Sequence, residues 1–145
     1  MKNGVKLYEL RKLQTDFPKK KITTPRGGYD FIKQFYSDDI GIFESFFILL
    51  LNRNNQTLGY AKISQGGVAS TVVDVKIISK YVVDSLCSAV ILAHNHPSGN
   101  KNPSNADKSI TDKIKNALSY FDVQVIDHII LTEEGYFSFS EGGLL

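Results

Sequence analysis

Short apolar runs separated by polar turns alternate with segments whose apolar residues recur at helical spacing. The run at 44–51 is apolar at nearly every position after Glu44, which is typical of a strand buried on both faces of a sheet. Residues 57–64, which follow a polar turn, are predicted to be its hairpin partner. The full set of predicted strands is 44–51, 57–64, 89–93, 123–132 and 136–139, with a further short edge strand at Val5–Leu10.

Helical periodicity and capping residues predict three helices among these strands. Thr24-Pro25 is typical of a helix start, and a short helix is predicted near 28–37. Asp74 is predicted to cap a helix from about 75 to 87, and Ser104-x-x-Asp107 has the form of a capping box before a third helix. The predicted inward residues are Ile77, Ile78, Tyr81, Val82 and Leu86 in the second helix, and Ile110, Ile114, Ala117, Leu118 and Phe121 in the third.

The order of the central elements, β-β-α-β-α-β-β, predicts an α/β domain with a mixed sheet flanked by helices. A chain of 145 residues is long enough for one domain with a sizeable core. Its hydrophobic fraction of 42% and charged fraction of 22% are ordinary for a soluble globular protein.

Charge is distributed unevenly along the chain. Residues 1–26 carry eight Lys/Arg and two Asp/Glu, about +6, whereas the remaining residues sum to about −4. We expect a basic N-terminal lead over 1–26, followed by one domain over 27–145. Such a lead could make weak contacts with nucleic-acid phosphates. A solvated, partly mobile terminus is the commoner behaviour of segments of this kind.

Several classes of protein are not indicated. The longest apolar run, Phe46–Leu51, is far too short to cross a bilayer, and no secretory signal opens the chain. The single cysteine, Cys87, forbids an internal disulfide and a cysteine-based zinc site, and is predicted to pack as a small hydrophobic residue. We therefore expect a cytoplasmic protein without membrane contact.

Two of the three histidines, His94 and His96, stand two positions apart at the end of the predicted strand 89–93. Side chains alternate along a strand, so both imidazoles point the same way, and Pro97 ends the strand. Asp107, eleven residues after His96, could supply a third ligand. Two histidines and one carboxylate are typical of catalytic zinc, which leaves a fourth position for water. The alternative is a strand end followed by an ordinary helix cap.

Hydrolysis at such a site requires a group that takes a proton from water and passes it to the leaving group. No HExxH motif is present, so the base must come from elsewhere in the chain. Glu44 is the best candidate, because it is a lone carboxylate at the start of an apolar strand, where an unpartnered charge is costly.

These residues match a known pattern. His94-x-His96-Pro97 followed by Ser104-x-x-Asp107 resembles the JAMM motif of the JAB/MPN metalloprotease fold. Together with Asp127-His128-Ile129-Ile130 and Ser138-Phe139, it resembles the bacterial RadC branch over about 40–143. The resemblance implies one zinc per chain on His94, His96 and Asp107, with Glu44 as general base. It also implies that Ser104 stabilises the oxyanion, and that the reaction is hydrolysis of peptide or isopeptide bonds in an unidentified protein substrate.

The chain departs from this family in two places. Longer RadC proteins carry an N-terminal helix–hairpin–helix DNA-binding module, for which residues 1–40 leave no room. Many relatives carry Pro-Arg-Glu where this chain has Asp74-Val75-Lys76, which changes the charge beside the site.

Three functions are therefore compared. A zinc metallopeptidase is favoured by the intact ligands and base. A DNA-associated accessory or repair factor without proteolytic activity is suggested by the basic N-terminal lead and by the historical association of the RadC name with DNA repair. A noncatalytic scaffold is disfavoured because the ligands are present.

Asp127 and His128 lie on opposite faces of their strand, so one of them could orient a ligand histidine. A hydrogen-bonded polar pair in the core is an equal alternative.

Overall fold

A five-stranded mixed sheet forms the centre of the protein in a computed structural model that describes residues 4–9, 11–66 and 72–145. The strands lie in the order β2-β1-β3-β4-β5, and only β3 and β4 are parallel neighbours. The strand bounds are β1 Ser45–Leu51, β2 Thr57–Gln65, β3 Ala89–Asn95, β4 Gln124–Leu131 and β5 Tyr136–Ser138. The helices are α1 Pro25–Ile32, α2 Val75–Ser85 and α3 Asn105–Ser119, with 3-10 turns at Lys33–Phe35 and Asp38–Gly41. The predicted α/β fold with a mixed sheet flanked by helices is confirmed.

Both faces of the sheet are covered, which explains the continuous apolar runs. In β1, Phe47, Leu49 and Leu51 pack in the cluster that contains α1 residues. The alternate residues Phe46, Ile48 and Leu50 pack in the cluster that contains residues of α2 and α3. In β3, Ala93 belongs to the α1 side, so the next side chain, His94, belongs to the side of α2 and α3.

The predicted helix starts are confirmed. Thr24 Oγ1 accepts a hydrogen bond from the Gly27 amide with Pro25 in the first turn, and Asp74 accepts one from the Lys76 amide. The helix predicted near 28–37 instead begins at Pro25, and its α-helical part ends at Ile32. The second helix ends at Ser85 because Leu86 adopts a left-handed conformation with φ of 54°.

Three predicted core residues are wrong. Leu86 and Phe121 lie beyond the ends of their helices, so neither continues the buried stripe, and they are exposed. Ile77 is also exposed, because it lies one helical step of about 100° away from the buried Ile78.

The edge strand predicted at Val5–Leu10 is wrong for 5–9, which are exposed and form no strand; residue 10 lies outside the described residues. The N-terminal segment forms hydrogen bonds with the sheet further along the chain, beside the start of β2. Thr57 N–H donates to the Lys20 carbonyl at 2.8 Å, and Lys21 forms an isolated bridge with Gln56. The segment at 20–22, next to the start of β2, therefore finds the hydrogen-bonding partners that 5–9 lack. The boundary at residue 26 stays a prediction.

Among the helices in the described part of the chain, none combines the length and the apolar character needed to cross a membrane. Cys87 is a buried free thiol in the cluster beside α2, as predicted for a small hydrophobic residue.

Candidate metal centre

The carboxyl end of β3 and the first turn of α3 bring three predicted ligands together. The Nε2 atoms of His94 and His96 lie 2.9 Å apart. Asp107 places one carboxylate oxygen 3.2 Å from His94 Nε2 and the other 3.1 Å from His96 Nε2. Ligand atoms bound at about 2.0–2.1 Å to a tetrahedral zinc lie about 3.3 Å from one another. The spacing of these donors therefore fits a small divalent cation.

Glu44 reaches the same place from β1. The antiparallel register pairs Phe46 with His94, so its continuation sets Glu44 opposite His96 on the same face. Glu44 is buried, and it offers a carboxylate oxygen within 4.8 Å of ligand atoms of both histidines. The carboxylate predicted to act as base is thus an immediate neighbour of the ligand cluster, which consists of His94, His96 and Asp107.

Asp107 serves the helix cap and the cluster at once. Its Oδ2 accepts a hydrogen bond from the Ser104 amide at 2.9 Å, and its own amide donates to Ser104 Oγ at 3.0 Å. This capping box fixes the carboxylate beside the histidines, so cap and ligand are compatible roles. Ser104 Oγ accepts from a backbone amide, which leaves its O–H hydrogen able to donate into the cavity that Ser104 lines.

His128, rather than Asp127, faces the cluster. His128 Nε2 lies 2.7 Å from His94 Nδ1, whereas Asp127 accepts hydrogen bonds from Ser138 and Ser140 on the other side. The pairing of β3 with β4 shifts register by one residue between Val90 and Ile91. That irregularity reverses the alternation along β4, and so decides which of the two side chains points at His94.

A hydrogen-bond chain through Thr111 and His128, which the sequence pattern does not predict, determines which nitrogen of neutral His94 carries the proton. Thr111 Oγ1 lies 2.6 Å from the Asp107 carbonyl, which can only accept, so the hydroxyl hydrogen points there. His128 Nδ1 lies 2.6 Å from the same hydroxyl oxygen and must donate to it. His128 Nε2 then accepts from His94 Nδ1–H, so in neutral His94 the lone pair is on Nε2. The sequence feature that could have indicated this hydrogen-bond chain is Thr111, which lies one helical turn after Asp107.

The tautomer of His96 is set independently. His96 Nδ1 lies 2.6 Å from the Asn100 carbonyl and must donate to it, so in neutral His96 the lone pair is on Nε2. Two Nε2 lone pairs and a carboxylate then point at one another within 3.2 Å. Acceptors in this arrangement need a cation or an added proton between them, so the residues fit a metal.

The pKa values of the cluster follow from the same contacts. Burial alone would raise the pKa of Asp107, but hydrogen bonds with His94 and His96 outweigh it and hold this pKa well below its ordinary value. Burial opposes the charged form of His96, yet its hydrogen bond to Asp107 raises its pKa overall. Burial, followed by the charge that His94 carries when it is protonated, lowers the pKa of His128 well below its ordinary value. Asp107 is therefore an anion, and it attracts positive charge to the two Nε2 atoms.

The cluster opens into a cavity of about 510 Å³. Its polar lining includes Glu44 and Asp107, and its apolar lining includes Phe46, Val73 and Ile110. Of the described residues that line it, none is Lys or Arg. Glu44, His94, His96, Ser104 and Asp107, which are the predicted site residues, all line this cavity. Their roles there stay predictions.

Known proteins are similar to this chain in sequence. A family model described as "RadC-like JAB domain" matches residues 22–144. A UPF0758 protein of Flavobacterium johnsoniae is 46% identical over 101 residues, which are 70% of this chain and 44% of the relative. A UPF0758 protein of Porphyromonas gingivalis is 38% identical over 128 residues, 88% of this chain and 56% of the relative. UPF0758 protein YfjY of Escherichia coli strain K12 is 42% identical over 102 residues, 70% of this chain and 64% of the relative. The chain spans about half the length of the first two of these relatives.

Proposed function

Since the chain belongs to the RadC-like JAB domain family, we propose that it is a zinc-dependent hydrolase of amide bonds, acting on peptides or on isopeptide-linked proteins in the cytoplasm. In this proposal one zinc is held by His94, His96 and Asp107. The observation that carries it is the convergence of two Nε2 lone pairs and a carboxylate within 3.2 Å of one another. Zinc bound there would supply a Lewis acid and lower the pKa of a bound water to about 7.

The other steps belong to residues of this chain. Glu44 takes a proton from the attacking water and delivers it to the leaving amine, which is the work of a general base followed by a general acid. Its place beside the ligand atoms of His94 and His96 supports this, because a general base must lie close to the water from which it takes a proton. The Ser104 hydroxyl donates a hydrogen bond to the oxyanion as negative charge develops on the substrate carbonyl oxygen.

The lining of the cavity favours an uncharged reacting group over a phosphate ester. Phosphate is commonly recognised by Arg or Lys, and the described lining residues contain no Lys or Arg but two acidic side chains. Phe46, Val73 and Ile110 provide an apolar wall suited to a side chain beside an amide bond. These features support amide hydrolysis rather than cleavage of a nucleic-acid backbone.

Peptide profiling tests the proposal. The zinc-loaded chain is incubated with a proteome-derived peptide library and with peptides carrying lysine isopeptide bonds, and new termini are identified by mass spectrometry. We expect cleavage that stops when a chelator removes the metal and returns when zinc is added. Cleavage that is indifferent to the chelator, or no cleavage of any member, would contradict the proposal.

His128→Phe is expected to weaken zinc binding by about 10–100-fold, because the ring that orients a metal-bound histidine typically contributes that much. Phe preserves a buried ring stacked on Phe139, whose centroid lies 4.6 Å from that of His128, but it cannot accept the His94 Nδ1–H bond. Zinc affinity is measured by competition with a chromophoric chelator. Ile129→Val, a buried change on the opposite face of the same strand, is the control and should leave the affinity unchanged. Equal affinities for the His128 variant and the wild type would refute the orienting role.

A further inference from the structure

Asn95 lies between the two histidines in sequence but points to the other face of β3, and its side chain is completely buried. Its amide nitrogen donates to the Ile40 carbonyl at 2.7 Å and to the Phe43 carbonyl at 2.8 Å. Its amide oxygen accepts from the Ser45 amide at 2.8 Å. One side chain therefore makes three short hydrogen bonds to the backbone on both sides of Glu44.

The chain before this segment also contacts it: the Phe43 amide donates to the Asp39 carbonyl at 3.0 Å, and the Tyr36 hydroxyl donates to the Ser45 carbonyl at 3.0 Å. Ile42 and Phe43 are exposed, so burial of apolar surface contributes little to the order of the chain just before Glu44. Glu44 itself is anchored through its carbonyl, which accepts from the Gly66 amide at 2.8 Å. That bond ties Glu44 to the edge of β2 and leaves its distance from β3 to be set by other contacts. Asn95 supplies such contacts directly, because it is part of β3 and forms hydrogen bonds to the backbone on both sides of Glu44.

We propose that Asn95 is a positioning residue that holds Glu44 beside His96. The inference rests on the proposed function, in which Glu44 is the base. Side chains alternate at the end of β1, so a slip of one residue there would remove the carboxylate from the cavity and present Ser45 or Phe43 instead. Asn95 prevents that slip by binding Phe43 and Ser45, the two neighbours of Glu44, at the same time. The residue between the two histidines thus couples the ligand strand to the base.

A matched control exists at the opposite end of β1. Asn52 Oδ1 accepts hydrogen bonds from the amides of Asn54 and Gln56 at 2.9 and 3.0 Å. Asn95→Ala and Asn52→Ala each remove a side-chain amide that organises a backbone segment flanking the same strand. Only the first is expected to affect Glu44. Should Asn95→Ala fail to fold, Asn95→Thr replaces it, because a β-branched side chain suits a strand but is too short to reach both flanks.

The position of Glu44 can be measured on the metal-free protein by NMR. In the wild type and in Asn52→Ala we expect nuclear Overhauser contacts between Glu44 Hγ and ring protons of His96, and slow exchange of the Ser45 amide. In the Asn95 variant we expect the contacts to disappear and the Ser45 amide to exchange at least about tenfold faster, because its acceptor is gone. Retention of both signals would overturn the inference.

Binding of acetohydroxamic acid to the zinc-loaded protein gives a second readout, because its N–OH group can donate a hydrogen bond to a carboxylate placed beside the metal. Loss of one charge-assisted hydrogen bond corresponds to about tenfold weaker binding, and we expect that loss in both Glu44→Gln and Asn95→Ala. The double variant should bind no more weakly than Glu44→Gln alone, because Asn95 acts through Glu44. Additive losses would overturn the inference. If the wild type binds no zinc, the proposed function fails, and the NMR measurement alone decides the role of Asn95.

Discussion

Glu44→Gln is expected to lower the rate of amide hydrolysis by about 10²–10⁴-fold while leaving one zinc bound per chain. Glutamine has nearly the same shape and can still form hydrogen bonds in the buried position beside His96, but it cannot take a proton from water. The three predicted ligands, His94, His96 and Asp107, are untouched by the change, and so is the backbone that Asn95 holds. The loss should therefore fall on turnover and not on metal content.

The measurement combines turnover of a peptide found by profiling with zinc content by elemental analysis. Glu133→Gln is the matched control, because Glu133 is an exposed carboxylate outside the cavity lining. The control should keep both turnover and zinc. If Glu44→Gln hydrolysed the peptide at the wild-type rate, Glu44 would not be the base, and the proton would have to be taken by another group in the cavity.

His96→Ala is expected to abolish zinc binding, and with it all hydrolysis. The change removes one of the three predicted donors, and the two that remain, His94 and Asp107, are fewer than the three protein ligands of a catalytic zinc site. Asp107→Ala should have the same effect and should also remove the capping box of α3. Elemental analysis should find about one zinc per chain in the wild type and none in either variant.

Thermal unfolding gives an independent measure of the same site. Zinc at about 100 times its dissociation constant should stabilise the wild type by about 2.7 kcal/mol and should not stabilise His96→Ala. Asn102→Ala is the control, because Asn102 lines the cavity but is not a predicted ligand. If the wild type took up no metal even when zinc was supplied, His94-x-His96 and Ser104-x-x-Asp107 would be only a strand end and a helix cap.

Local sequence was sufficient to predict most of the fold. The apolar runs of β1 and β3 and the caps at Thr24, Asp74 and Ser104 act within a few residues, so their patterns are visible in the chain. Two of the wrong core predictions, Leu86 and Phe121, occurred where the ends of helices depend on backbone conformation. Leu86 becomes left-handed and leaves the buried face, which no periodicity of apolar residues indicates.

The predicted metal ligands could be found in the sequence for the same reason. His94 and His96 share a face because side chains alternate along a strand, and Asp107 lies close because a capping box folds it back at the start of α3. Both relations are local. Thr111 is local to Asp107 as well, but its significance depends on His128, which is distant in sequence.

The tertiary structure alone decided how the predicted base and the supporting residues meet that cluster. Glu44 lies beside His96 because β1 runs antiparallel to β3 with Phe46 opposite His94. His128 faces the cluster in place of Asp127 because the β3–β4 pairing shifts by one residue. Strand neighbours and register depend on how the whole sheet packs between its helices, and a change of one residue reverses every side chain. The sequence by itself therefore determined the elements and the predicted metal ligands, whereas strand pairing determined which carboxylate and which histidine complete the site.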